Sequence, residues 1–237
     1  MHSRPINSIY RRFIEELMVE MHLLSVNVDF KYDPIYALGV VTSSDRFMEG
    51  YRPESDISSI FDAICKAVEQ DPQQYRQDAA KLQEFAKTVS SETVLAWLSK
   101  ESNPPEAGEF QGAIDAIAAN PKFKYSRLFA IGLFSLLDTV DSEMVKDEKQ
   151  RTAALEKISG ALNLPGEKIA KDLELYSGNL EKMSQARQVM EDILAADRKK
   201  REQRAEEKAA ATNSPSSPES SPESSPEEST TESTTEE

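Results

Sequence analysis

Cysteine is nearly missing: Cys65 is the single one in 237 residues, which excludes an intramolecular disulfide and a thiolate metal cluster. Histidine is nearly missing too, with only His2 and His22. A helical di-iron centre needs Glu-x-x-His pairs on two helices, and position 19, three before His22, is Val. Zinc spacing and the His-Glu-x-x-His pattern are absent. A Ser-His-Asp or Cys-His arrangement would have to use His22 as its base. That residue lies between Met21 and Leu23 inside a helical pattern, where an ordinary helix residue is the simpler reading. Cys65, between Ile64 and Val68, reads as a small core residue. The segment Gly160 to Lys168 approaches a phosphate loop, but Gly166-Glu167-Lys168 breaks the Gly-Lys-Ser/Thr core and no strand precedes it. Long apolar runs are lacking as well. The most apolar stretch, Leu128 to Val140, contains Ser135, Asp138 and Thr139. It falls short of the roughly 18 residues a membrane span needs. No apolar signal region follows Met1-His2-Ser3-Arg4-Pro5. The chain is therefore expected to be neither an enzyme nor a metal or cofactor protein, and to reach a membrane only through a surface or a partner.

Basic residues are in deficit, with 28 Lys and Arg against 42 Asp and Glu and a formal net charge of −14. Seven of those acids lie in 213–237 with no base beside them, so this tail carries half of the net charge. An acidic chain repels phosphate backbones, so nucleic acid is not an expected partner.

What is present is helical spacing. Glycine numbers only eight, and the period-two alternation of strands is almost absent. Ile9, Phe13, Leu17, Met21, Leu24 and Val28 step by four or three along a long first helix. Pro34 suits the first turn of a second helix running towards Met48. A third carries Ile57, Ile60, Phe61 and Ile64 and is expected to end near Asp71, because the residue before Pro72 disfavours helical geometry. Pro72 opens a fourth, bent or ended at Ser90-Ser91, and Ser102-Asn103-Pro104-Pro105 with Gly108 reads as a loop. A short helix over 109–119 and a buried one from Tyr125 to Val140 follow, the latter expected at the centre of a bundle because it is apolar nearly all round. Ala154, Leu155, Ile158 and Leu162 mark another helix. In the last one, Ile169, Leu173, Tyr176, Leu180, Met183, Met190 and Leu194 follow a heptad rhythm that Arg187 interrupts.

The expected architecture is all-α. It comprises a helical bundle over 4–163, a long coiled-coil-like helical arm over 164–212, and a disordered Ser/Pro/Glu-rich tail over 213–237. A seam longer than one domain needs suggests a partner surface at Tyr176, Leu180, Met183 and Met190. The basic block Arg198, Lys199, Lys200 and Arg201 suggests docking on an acidic partner or an anionic membrane.

Three longer strings carry a resemblance. They are Arg4-Pro5-Ile6-Asn7-Ser8-Ile9-Tyr10-Arg11-Arg12 continuing through Glu15 to Asn27; Tyr32-Asp33-Pro34-Ile35-Tyr36-Ala37-Leu38-Gly39-Val40-Val41 with Asp45-Arg46-Phe47-Met48; and Tyr125-Ser126-Arg127-Leu128-Phe129-Ala130-Ile131-Gly132-Leu133-Phe134. Together they make the chain resemble the thylakoid-formation (photosystem II biogenesis) family of cyanobacteria and chloroplasts. The resemblance implies an all-helical protein without catalytic activity, active in thylakoid biogenesis and in photosystem II assembly and repair. It implies association with FtsH-type membrane proteases, with assembly or repair intermediates and, peripherally, with the thylakoid membrane. The cytoplasmic face is the expected location in a cyanobacterium, and the stroma in a mature plastid protein. No plant-type transit peptide precedes the His-x-Arg-Pro block, and family members usually carry a short segment there, so a trimmed start is expected. A membrane-remodelling or vesicle factor acting on thylakoid lipid is the alternative function.

Overall fold

The computed structural model describes residues 4–212, with side chains placed as far as 206. Among these residues the secondary structure is entirely helical: α1 (Ser8–Ser25), α2 (Pro34–Phe47), α3 (Ser55–Ala67), α4 (Pro72–Thr88), α5 (Ser91–Leu98), a 3-10 turn (Pro105–Ala107), α6 (Gly108–Ala119), α7 (Arg127–Val140), α8 (Ser142–Lys146), α9 (Glu148–Ala161) and α10 (Gly166–Thr212). The all-α expectation holds.

Local chemistry sets the starts. Asp33 stands in extended backbone before Pro34, and its carboxylate accepts from the Tyr36 amide at 2.8 Å. Asp71 caps α4 before Pro72 in the same way, accepting from the Gln73 amide at 2.9 Å. Ser126 accepts from the Phe129 amide at 3.1 Å and opens α7. Each such cap satisfies one of the orphan amides at a helix start and contributes about 1 kcal/mol.

The core forms around α2 and α7. Ile35 to Val40 and Leu128 to Leu133 are buried without a break, so both helices are enclosed on nearly all sides. The two backbones meet at a pair of glycines. A methyl group on Gly39 would lie 1.7 Å from the Leu128 carbonyl oxygen, and one on Gly132 would lie 1.8 Å from the Ile35 carbonyl oxygen. The central position expected for α7 is confirmed, and α2 shares it.

Around this pair the outer helices bury one face each. On α1 that face is Tyr10, Ile14, Leu17, Met21 and Leu24. It lies one position beside the expected stripe at its start: Ile9 and Phe13 are only half-buried, and Val28, beyond the helix end, is 87% exposed. Helix α3 stops at Ala67, earlier than expected, because Glu69 turns the chain with a φ of 58°. The short α8 was not expected. It is set off from α9 by Asp147, which accepts from the Gln150 amide at 2.9 Å.

The compact unit extends to Met190, not to 163, so the first half of α10 belongs to the bundle. Ile169, Leu173 and Tyr176 are buried in it. Arg187, which breaks the heptad rhythm, does so for a reason. Its guanidinium donates to the Glu49 carbonyl and approaches the Glu49 carboxylate at 3.7 Å. Tyr10 also donates to that carbonyl, at 3.4 Å.

The second unit begins at Glu191, within α10. All its described side chains, through Glu206, are exposed, Ile193 at 57% and Leu194 at 63% among them. The tail expected over 213–237 lies outside the described residues.

Candidate partner-binding site

Helix α1 and the first half of α10 flank an open cleft, one compartment of which is floored by α2 and α7. One compartment, of about 670 Å³, has Leu17, Phe47, Leu128, Ile131, Tyr176 and Met183 among its lining. Aromatic packing holds that lining in place: Phe13 stacks on Phe47 at 4.2 Å, and Phe47 meets Tyr176 edge-on at 5.9 Å. The other, of about 860 Å³, runs between Val19, Leu23 and Leu24 of α1 and the segment Lys124 to Arg127 with Lys168 and Asp172.

Both compartments share Glu16, Glu20 and Arg127. Arg127 donates to Glu20 at 2.7 Å, with side chains 30% and 20% exposed. This ion pair stands as a bar between the two spaces. Tyr125 donates to Asp172 at 2.7 Å, and the Lys168 ammonium lies 5.1 Å from the centre of the Tyr125 ring. Desolvation, reinforced by the hydrogen bond to Asp172, raises the Tyr125 phenol well above its ordinary value. Burial pushes Tyr176 up to about 12, so it too stays neutral at physiological pH.

Ser43 of α2 lines the first compartment. Only 2% exposed, its hydroxyl has no hydrogen-bond partner among the described residues. A buried hydroxyl without a partner costs about 1–3 kcal/mol, so its presence needs a reason.

The cleft walls differ in charge. On α1, Glu15, Glu16 and Glu20 outnumber Arg12, which donates to Glu16 at 2.8 Å. Opposite, Lys124, Arg127, Lys168 and Lys182 outnumber Asp172. The lips carry exposed apolar side chains: Val19 at 53%, Leu23 at 62% and Leu175 at 50%.

The residues singled out from the sequence are dispersed. Tyr176 and Met183 are mostly buried in the chain's own core and contribute only their edges to the lining of the first compartment. Leu180 and Met190 are half-buried. The seam satisfies the bundle as far as Met183, because α10 packs there instead of pairing with another helix. Arg198, Lys199, Lys200 and Arg201 are all exposed, and Arg198 pairs with Glu202 at 3.0 Å. Five acids accompany five bases between 191 and 206, so the block is locally compensated. Sequence reasoning missed Val19, Leu23, Ser43 and Arg127. One signal was legible: Val19, Leu23 and Val26 repeat at helical spacing on the face of α1 opposite its core residues.

Cys65 is buried, and desolvation pushes its thiol up to about 12, away from thiolate reactivity. Among the described residues no three His, Cys, Asp or Glu side chains gather into a metal-binding group. Nor is any described helix long and apolar enough to cross a membrane.

An all-α bundle with a charge-walled, partly apolar-floored cleft defines a helical protein that carries a groove on its surface. The sequence profile of the thylakoid formation protein family matches residues 1–205, and the chain belongs to that family. It is 61% identical to protein Thf1 of Trichormus variabilis over 207 residues, covering 87% of this chain and 89% of that one. With protein Thf1 of Nostoc punctiforme it shares 58% identity over 215 residues, 91% and 92% of the two chains. The solved structure of Psb29 superposes with a TM-score of 0.72 at 43% identity, covering 84% of this chain and 92% of that one. Membership ties the chain to thylakoid formation.

Proposed function

We propose that this chain is a non-catalytic accessory factor in thylakoid biogenesis and in photosystem II assembly and repair, which binds and stabilises FtsH-type membrane proteases. The observation that carries this reading is the cleft. It combines exposed apolar lips with walls of opposite charge, which is the anatomy of a surface made for another macromolecule. Work on the cytoplasmic face of the thylakoid, through peripheral association, follows from this role.

The test is affinity capture from gently solubilised thylakoid membranes with the full chain as bait, together with FtsH levels in cells that lack the protein. Co-purification of FtsH subunits and a fall in their abundance are the expected results. Capture of photosystem subunits without FtsH sinks the protease reading and leaves an assembly factor.

The second reading is a factor acting directly on thylakoid lipid. Ile193 and Leu194, both exposed and followed by Arg198 to Arg201, favour it. Flotation with anionic liposomes decides: a chain that stays at the bottom of the gradient removes the lipid reading and leaves the protease reading intact.

A further inference from the structure

We infer that the cleft between α1 and α10 is the seat of one amphipathic helix from the partner protein, with basic residues along its α1 flank and acidic residues along its α10 flank. This inference rests on the reading of the chain as a partner-binding factor. It names the surface and the chemistry that surface selects.

Length is the first argument. The α1 wall of the two compartments runs from Ile9 to Leu24, which at 1.5 Å per residue is about 24 Å. A compact small molecule fills one compartment and leaves the other open. A helix of four or five turns lies along both, presenting apolar anchors at three-four spacing.

Charge is the second. The α1 wall is net acidic and the opposite wall net basic. A helix with segregated flanks satisfies both walls, and it does so in one azimuthal setting, which gives specificity as well as steering. An anionic lipid would meet Glu15, Glu16 and Glu20 on one side. A second copy of this chain offers its own α1 as the exposed apolar helix. That helix has no Lys or Arg between Phe13 and Phe30 to answer the acidic wall.

The experiment places a photo-crosslinking amino acid at position 23 or 175 of the full chain, irradiates thylakoid membranes, and sequences the attached peptide. Both positions are exposed, so folding is preserved. The expected peptide is a partner segment with apolar residues at three-four spacing, Lys or Arg on one flank and Asp or Glu on the other. A peptide of this chain, a lipid adduct, or no adduct overturns the inference. In parallel, retention of FtsH subunits is measured for Leu23→Asp and for Lys168→Glu. Each should fall at least tenfold, while Val189→Asp, exposed and outside the cleft, matches the parent. If the parent retains FtsH and the cleft variants do too, or if Val189→Asp alone loses it, the cleft is not the seat. Should the parent retain no FtsH, the protease reading fails, and the crosslinked peptide still decides the cleft.

Discussion

Two successive turns on one face of α2 obey opposite rules. At Gly39 the helix lies backbone to backbone against α7, with no room for a methyl group. One turn further on, Ser43 lines a cavity and its hydroxyl bonds to nothing among the described residues. A single helix face thus carries a backbone-to-backbone contact and, four residues on, a polar group left unpaired. The difference shows that close packing and hydrogen-bond satisfaction are set residue by residue.

The contrast can be broken most severely at its tight side. Gly132→Ala sets a methyl group against the Ile35 carbonyl, and backbone cannot rotate out of the way as a side chain can. The usual cost of overpacking is about 1–3 kcal/mol, and here about 4–5 kcal/mol or more is expected. Chemical denaturation of the variant measures it; a loss under about 1 kcal/mol would mean that the helices separate freely.

Next in size is the cap that starts α2. Burial raises the Asp33 carboxyl from 3.8 to about 7 in the folded chain, although the Tyr36 and Ile35 amides oppose the rise. The folded state therefore holds a proton that the unfolded chain has released. Stability present below about pH 4 is lost as the pH rises from about 4 to 7, on the order of 4 kcal/mol in all. Melting curves across that range should show the decline in the parent and a flatter profile in Asp33→Asn, which keeps the cap acceptor. Equal slopes would remove Asp33 as the cause.

Arg187 sharpens the loose side, since it ties the α10 wall to the end of α2. Arg187→Ala should cost about 1–2 kcal/mol, and amide exchange should quicken selectively around 180–190. Uniform exchange across α10 would show that packing of Tyr176 and Met183 suffices without the tie.

The smallest effect belongs to Ser43→Ala. Removing a buried donor that has no partner relieves its desolvation cost, less the packing of one atom, and should raise stability by up to about 1 kcal/mol. A loss above about 1 kcal/mol would reveal a bond that the hydroxyl does make.

Much of the bundle was legible from local signals. Pro34 in a first turn and the nearly continuous apolar character from Tyr125 to Val140 placed α2 and the core of α7 correctly. Periodicity was weaker at α1, where two neighbouring stripes both step by three or four. Tyr10 rather than Ile9 faces inward, where its hydroxyl reaches the Glu49 carbonyl. The heptad seam was visible too, but spacing alone does not distinguish a helix packed on its own bundle from one awaiting a partner. The cleft itself had no local signature. Its lining comes from α1, α2, α7 and α10, and only folding brings Ser43 near Arg127 and Met183. The meeting of Gly39 with Gly132 was hidden likewise, although two glycines inside apolar helices hinted at close approach.

The bar formed by Glu20 and Arg127 divides the cleft into two rooms, and this has a consequence for how tightly anything is held there. A fragment short enough to lie in one room gains only that room's contacts and dissociates quickly. A continuous helix that passes over the bar makes its second engagement within one molecule, at an effective concentration that can reach the millimolar range. Fragments tested one at a time would then each look like weak binders, and their affinities would understate that of the unbroken helix by orders of magnitude.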